Sequence, residues 1–275
     1  MKVAEALRLG ALRLAAAGVP EAAGDARALM AHALGVARAR VTLHLPDPLP
    51  EEAEKRFESA WAARSIRVPV SQILGYRDFY GRRFQVSADV LDPRPETEIL
   101  VTAALELPFA RVIDLGTGSG AILLSLLAEC SDAEGVGTDL SAAALAIARE
   151  NAATMDLQDR VKFQQADWWS GIDGRFDLVV SNPPYISQAE MAELSPELQY
   201  EPNVALTPGG DGLDAYRRLF AGLAIHMSPN GRALFEIGAN QGTAVRALAV
   251  AAGFESTRLL QDFDGRDRVI CIDLD

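Results

Sequence analysis

The most chemically pointed residues of the chain are Asn182, Pro183, Pro184 and Tyr185, which follow the apolar run Leu178-Val179-Val180 with only Ser181 between. Asn182 offers a side-chain oxygen, and Pro183, which has no N–H, keeps a carbonyl held by the fixed φ of its ring. Two neighbouring acceptors suit a planar NH2 conjugated to a π-system, such as a carboxamide or the exocyclic amine of a base. Each of its two hydrogens needs an acceptor at about 2.7–3.2 Å. The ring of Tyr185 is suited to covering the flat face of such a group. Asn-Pro and Pro-Pro also punctuate ordinary loops, and it is a glycine-rich segment upstream that weights the chemical reading.

That segment is Asp114-Leu115-Gly116-Thr117-Gly118-Ser119-Gly120, set between a strand-like run and a helical one. Glycines at this spacing let backbone approach a ligand closely, and Asp139, nineteen residues after Gly120, can accept hydrogen bonds from both hydroxyls of a ribose. The pattern predicts a nucleoside-containing cofactor without saying which, since Gly116-x-Gly118-x-x-Ala121 also fits a dinucleotide fingerprint. Three features favour S-adenosylmethionine over NAD. Asp114 would repel a pyrophosphate but suits a ligand with an ammonium and a cationic sulfur. Asp167-Trp168 offers a carboxylate for adenine N6 and an indole for the ring. The Asn182 corner closes a strand, and doubly wound sheets bind ligands at the carboxyl ends of their strands.

These residues need elements to hold them. Apolar positions at helical spacing through Val3, Leu7, Leu14, Ala28, Leu29 and Ala33, broken at Gly18-Val19-Pro20 and at Pro46 to Pro50, predict short helices over residues 2–66. Period-two stretches around Tyr80-Gly81 predict a β-hairpin connector between Val68 and Asp92. A helix near 96–107 then leads into alternating strands and helices. The predicted strands are 111–115, 134–138, 160–164, 176–181, 231–237, 255–261 and 267–273, which gives an α/β, doubly wound sheet. The link Asp262-Phe263-Asp264-Gly265-Arg266 is too short for a parallel crossover, so one of the last two strands should be antiparallel.

The 275 residues, 49% of them hydrophobic, can bury a large core. No apolar run approaches the ~20 residues of a membrane span, and the N-terminal residues do not lead into a secretory segment, so a cytoplasmic protein is expected. Cys130 and Cys271 stand alone without a nearby His, so neither a disulfide framework nor a metal site is expected. A net charge of -12 argues against a phosphate track and stable nucleic-acid binding. The charge is uneven: residues 1–85 hold 13 Lys+Arg against 9 Asp+Glu, and the remainder 13 against 29. A surplus of positive charge at the front suits an acidic partner, though solvated faces look the same.

Taken together, Ile73-Leu74-Gly75, Asp78-Phe79-Tyr80-Gly81, Pro93-Arg94-Pro95-Glu96-Thr97-Glu98, the Asp114–Gly120 loop, Asp139, Asp167-Trp168, Asn182–Tyr185, and Glu201-Pro202 before Gly209-Gly210-Asp211-Gly212 resemble the release factor glutamine methyltransferases, the HemK-like protein-(glutamine-N5) family. The resemblance implies a helical substrate-recognition domain (1–67), a β-hairpin linker (68–92) and a class I, seven-stranded methyltransferase domain (93–275). It implies S-adenosylmethionine as cofactor, with S-adenosylhomocysteine as product. The implied substrate is the glutamine of the Gly-Gly-Gln motif in peptide chain release factors 1 and 2. Asn182, Pro183, Pro184 and Tyr185 would then hold the substrate amide, and Asp114, Gly116, Thr117, Gly118, Ser119, Gly120, Asp139, Asp167, Trp168 and Asn182 the cofactor. The rival readings are an N6-adenine nucleic-acid methyltransferase, which uses the same corner after base flipping, and a ribosomal-protein glutamine methyltransferase. An NAD dehydrogenase would need a hydride-handling His or Lys at a strand end, and His32, His44 and His226 fall elsewhere. A non-catalytic binding protein of the same fold is a further class.

Overall fold

The computed structural model describes residues 1–274 and divides into two compact units, Met1–Tyr76 with Ser195–Tyr200, and Arg77–Leu194 with Glu201–Asp275. The first unit is helical. Its long helices, Val3–Ala16, Ala22–Leu34 and Glu51–Ser65, bury Leu14, Leu29, Met30 and Phe57 in one core. Each fully buried side chain of this size contributes about 1.5–3 kcal/mol. Two arginines finish the unit with charge. Arg64 pairs with Asp25 at 2.7 Å and with Glu197 at 2.9 Å, while Arg67 meets the second oxygen of Glu197 at 2.7 Å. Residues 70–74, inside the span expected to be a β-hairpin connector, form one helical turn between Pro69 and Gly75. Pro69 presets the entry, and Gly75 at φ +79 supplies the left-handed stop.

The second unit begins with a hairpin, β1 (Tyr76–Phe79) and β2 (Arg82–Gln85). The main sheet follows with β3 (Arg111–Leu115), β4 (Glu134–Asp139), β5 (Val161–Gln165), β6 (Phe176–Ser181), β7 (Met227–Glu236), β8 (Thr257–Gln261) and β9 (Asp267–Asp273). Its order is β5-β4-β3-β6-β7-β9-β8. The strands from β5 to β7 are parallel, and β9 runs antiparallel between β7 and β8, as the short link between the last strands requires. Parallel strands covered on both faces read as apolar runs, and Val112-Ile113 and Leu178-Val179-Val180 are fully enclosed. The helix Ala121–Glu129 is buried on nearly every side, so it needs no polar face.

Two boundaries depart from the sequence reading. The helix near 96–107 is a 3₁₀ turn, Pro95–Thr97, followed by Glu98–Ala104, because Leu107 precedes Pro108 and is steered out of the helical region. Strand β7 starts at Met227 rather than 231. The Ser228-Pro229-Asn230-Gly231 stretch reads as a turn but is carried inside the strand as an irregularity, where the pairing jumps from Phe176↔Met227 to Leu178↔Arg232.

Candidate functional site

Topology places the ends of β3, β4, β5, β6 and β7 along one carboxyl edge. The glycine loop follows β3, Asp139 ends β4, Asp167-Trp168 lies just past β5, Asn182 follows β6, and Glu236 ends β7. A cavity of about 340 Å³ opens there, walled also by Phe79, by residues of the 89–97 stretch and by residues of the 202–208 stretch. Its volume lies in the range of small-molecule sites, about 300–1,000 Å³.

Gly116, Thr117, Gly118 and Ser119 line the cavity. Gly116, Gly118 and Gly120 all sit at positive φ, and a Cβ on Gly118 would meet nothing within 4 Å, so the loop turns bare backbone toward open space. Asp139 holds this loop in shape: its Oδ2 accepts from the Gly118 N–H at 2.9 Å and its Oδ1 from the Ser141 N–H at 2.8 Å. Burial raises the Asp139 pKa, and these backbone hydrogen bonds oppose the rise. A carboxylate has lone pairs to spare beyond two such bonds, and Asp139 also lines the cavity. Trp168 stands beside the loop, its Cζ3 3.9 Å from where a Gly116 Cβ would be. Asp167 lines the same space in an ion pair with Arg218 at 2.6 Å, a partner not foreseen from the sequence.

Asp114 is placed differently. Its carboxylate is 0% exposed, accepts from Thr117 Oγ1 at 2.7 Å and is not part of the cavity wall, and burial pushes its pKa up to about 7. Through Thr117 it braces the loop from beneath. Gly120 also stands behind the wall, as the N-cap of the helix Ala121–Glu129.

At the corner after β6, Asn182 and Pro184 line the cavity, while Pro183 and Tyr185 do not. The Tyr185 ring packs into the core beneath the sheet edge, and its hydroxyl donates to Glu236 Oε1 at 3.3 Å. The hydroxyl thus gives Tyr185 a supporting contact with Glu236. Burial keeps the Tyr185 phenol pKa well above its usual value, so it stays a donor. The other oxygen of Glu236 accepts from Thr97 Oγ1 at 2.5 Å, and Thr97 Oγ1 accepts from Asn182 Nδ2 at 3.3 Å. A hydroxyl has one hydrogen, and here the carboxylate takes it, so Thr97 is left as acceptor for the Asn182 NH2. Asn182 Oδ1 is thereby freed as the acceptor on the other side of the amide. Glu236 is 1% exposed, with its pKa pushed up to about 7 chiefly by burial. Sequence reading passed over Glu236; the only available signal was an acid closing an apolar strand at the ligand-binding edge.

The residues present fit S-adenosylmethionine. Bare glycine backbone, a cavity-facing Asp139 and an indole beside Gly116 make a cradle for a nucleoside, next to an amide held with its oxygen free. Among the described residues no cluster of His, Cys, Asp or Glu could hold a metal ion, and no helix is long and apolar enough to cross a membrane.

Comparison with known proteins agrees with this geometry. The PrmC N-terminal domain family matches residues 5–75, and the methyltransferase small domain family residues 86–213. Among solved structures, a methyltransferase from Pyrococcus furiosus covers 69% of this chain and 87% of its own, with TM-score 0.54 at 14% identity. The hMettl16 catalytic domain, solved with a MAT2A 3'UTR hairpin, covers 78% of this chain and 81% of its own, with TM-score 0.61 at 16% identity. At such identities the likeness concerns the fold, a class I methyltransferase sheet. Curated relatives are far nearer in sequence. The release factor glutamine methyltransferase of Cereibacter sphaeroides is 57% identical over 98% of both chains, and that of Rhodospirillum rubrum is 41% identical over 95% of this chain and 82% of its own. With identity of this order running through both the helical unit and the sheet that carries the cavity, the chain belongs to the release factor glutamine methyltransferase family.

Proposed function

We propose that the protein methylates the side-chain nitrogen of the glutamine in the Gly-Gly-Gln motif of peptide chain release factors 1 and 2, in the cytoplasm, with S-adenosylmethionine as methyl donor. The observation that carries this reading is the Asn182 amide, which Thr97 and Glu236 hold with its oxygen free, beside a nucleoside cradle. When bound, the cofactor supplies a methyl group already activated on a cationic sulfur, so the protein's contribution is geometry and electrostatics.

Gly116 to Ser119, Asp139 and Trp168 hold the nucleoside, with Asp167 beside them. Asn182 Oδ1 and the Pro183 carbonyl each accept one hydrogen of the substrate amide. A carboxamide nitrogen is a poor nucleophile because its lone pair is delocalised into the carbonyl, and two acceptors fix its orientation as well as stabilising positive charge that grows on it. Positioning of this kind accounts for about 7–11 kcal/mol of a barrier in the best cases, and contacts that strengthen in the transition state raise turnover. Tyr185 acts through Glu236, keeping the carboxylate oriented toward Thr97.

Residues 1–67 serve as the partner-recognition part, the 68–92 stretch as linker, and 93–275 as the catalytic domain. Support for the first assignment is the positive balance of residues 1–85 and the exposed Leu12, Leu43 and Ile66. The acidic remainder fits a protein substrate better than a nucleic-acid track. The test is to incubate the purified protein and methyl-labelled S-adenosylmethionine with each release factor, with a factor whose Gly-Gly-Gln glutamine is replaced, with ribosomal protein and with duplex DNA, and to locate the label by mass spectrometry. Label on the motif glutamine alone is expected; label on DNA or ribosomal protein, with none on the release factors, would overturn the reading.

A further inference from the structure

Five aspartates line the cavity, and four are already engaged. Asp89 accepts from Ser87 Oγ at 3.0 Å, Asp139 from two backbone N–H groups, Asp167 pairs with Arg218, and Asp214 faces Arg217. Asp92 is the exception. It is 6% exposed, and its Oδ1, enclosed by protein, has no hydrogen-bond partner among the described residues. A buried carboxylate oxygen left without a donor is costly; Asp114 Oδ1 is in the same state, but it lies outside the cavity wall, whereas Asp92 lines the cavity.

The charge around it is unbalanced as well. Arg94, two residues on, is committed to Glu201, with Nη2 at 2.6 and 2.7 Å from the two carboxylate oxygens. Asp92 and Glu201 repel one another, and burial followed by the Asp92 charge is what lifts the Glu201 pKa against the pull of Arg94. Arg94 is spent on Glu201, so a further positive charge at Asp92 would balance the two carboxylates.

Position along the chain indicates which ligand atom brings that charge. Val90, two residues before Asp92, packs on Ala144, at the start of the helix that follows Asp139. Thr97, five residues after it, holds Asn182. Asp92 lines the cavity and stands in the chain between a segment packed near the Asp139 end and one that holds Asn182. S-adenosylmethionine branches at the sulfur, where its amino-acid tail leaves, and the tail ends in an ammonium with three donors.

We propose that Asp92 is the anion that receives the α-ammonium of the cofactor's amino-acid tail, a role expected from local pattern for Asp114. The inference rests on the cofactor named under Proposed function. A charge-assisted hydrogen bond made in an enclosed site is stronger than a neutral one, and its donor is present only in ligands that carry the amine.

The test is calorimetric titration of the full chain with S-adenosylhomocysteine and with its analogue lacking the α-amino group, using the wild type and Asp92→Asn. Asp92→Asn is expected to weaken S-adenosylhomocysteine by roughly 10- to 100-fold and to leave the desamino analogue within about twofold. Equal losses for both compounds, or no loss for either, would overturn the assignment. Wild type that binds neither compound would sink the cofactor reading itself, a distinct failure. Thermal unfolding without ligand supplies an independent check. Removing an uncompensated buried charge should raise the midpoint of Asp92→Asn, and a lowered midpoint would mean that the carboxylate already has a partner in the protein, which also overturns the proposal.

Discussion

Thr97 and Glu236, 139 positions apart, meet through a 2.5 Å hydrogen bond from Oγ1 to Oε2, with both side chains buried. The bond fixes the direction of every hydrogen bond that follows it toward the cavity. Thr97→Val removes the hydroxyl and leaves both Glu236 Oε2 and Asn182 Nδ2 without it, so the Asn182 amide loses its orientation. Turnover should fall roughly 10- to 100-fold with cofactor affinity unchanged, as losing a hydrogen bond to a charged group costs about 1.5–3 kcal/mol. Thr97→Ser should retain most activity. Steady-state kinetics on the pair checks this, and equal losses in both variants would point to packing rather than the hydroxyl.

Asn182→Ala should leave S-adenosylhomocysteine affinity within about twofold while lowering kcat by about 10²–10³, the usual cost of one preorganised partner of the transition state. Near-normal methylation would remove Asn182 from the mechanism.

Asp139 has a double task, since it shapes the glycine loop and faces the cavity. Asp139→Ala should weaken S-adenosylhomocysteine by at least about tenfold. An unchanged dissociation constant by calorimetry would show that the ribose is held elsewhere.

Burial raises Asp114 and Glu236 from ordinary values of 3.8 and 4.5 to about 7 in each case. Between those limits the folded chain holds protons that the unfolded chain has released, so their contribution to stability is complete below the lower values and is lost as pH rises through about 7. Turnover should move the other way. Glu236 accepts from both Thr97 and Tyr185 only when ionised; once protonated it must donate, which disturbs the relay to Asn182. Arg268, Tyr185 and Glu96 are the charged or titratable groups that act on it. The expected result is kcat rising through about pH 7 while the unfolding midpoint falls. A Glu236→Gln profile as steep as the wild type's would assign the activity limb to another group.

Gly212 has φ +77, and a Cβ there would come within 2.4 Å of the Tyr185 carbonyl oxygen and 3.0 Å of the Ser187 nitrogen. Both contacts are backbone and cannot swing aside. Gly212→Ala should cost about 1–3 kcal/mol from the positive φ alone, with the clash in addition. Because the clash falls on Tyr185, whose carbonyl also accepts from Gln241 Nε2 at 2.8 Å, turnover should suffer beyond the loss of folded protein. Chemical denaturation with kinetics at matched folded fraction separates the two.

Much of this molecule was readable in its residues. Strands at 111–115, 176–181 and 267–273 lie where local pattern placed them, because an apolar run between turn formers has few other uses. The antiparallel β9 followed from the length of one link. What pattern could not reach was the pairing of side chains brought together by folding alone. Tyr185 carries no local sign that Glu236, arriving from the end of β7, takes its hydroxyl. Asp114 read as a ligand for charge because its neighbours do face the cavity, while its own position in β3 between Ile113 and Leu115 points it into the sheet's enclosed interior. Asp92 carried no local signal, since its meaning depends on Arg94 being spent on Glu201.

That last ion pair has a wider effect. A single guanidinium stitches the stretch around Arg94 to Glu201, 107 positions later. The two margins of the cavity are thereby sewn along one seam, so slack introduced in either is felt in both. Loss of the Glu201 carboxylate would for that reason loosen Arg94 and the stretch that carries Thr97, which accepts from the Asn182 amide.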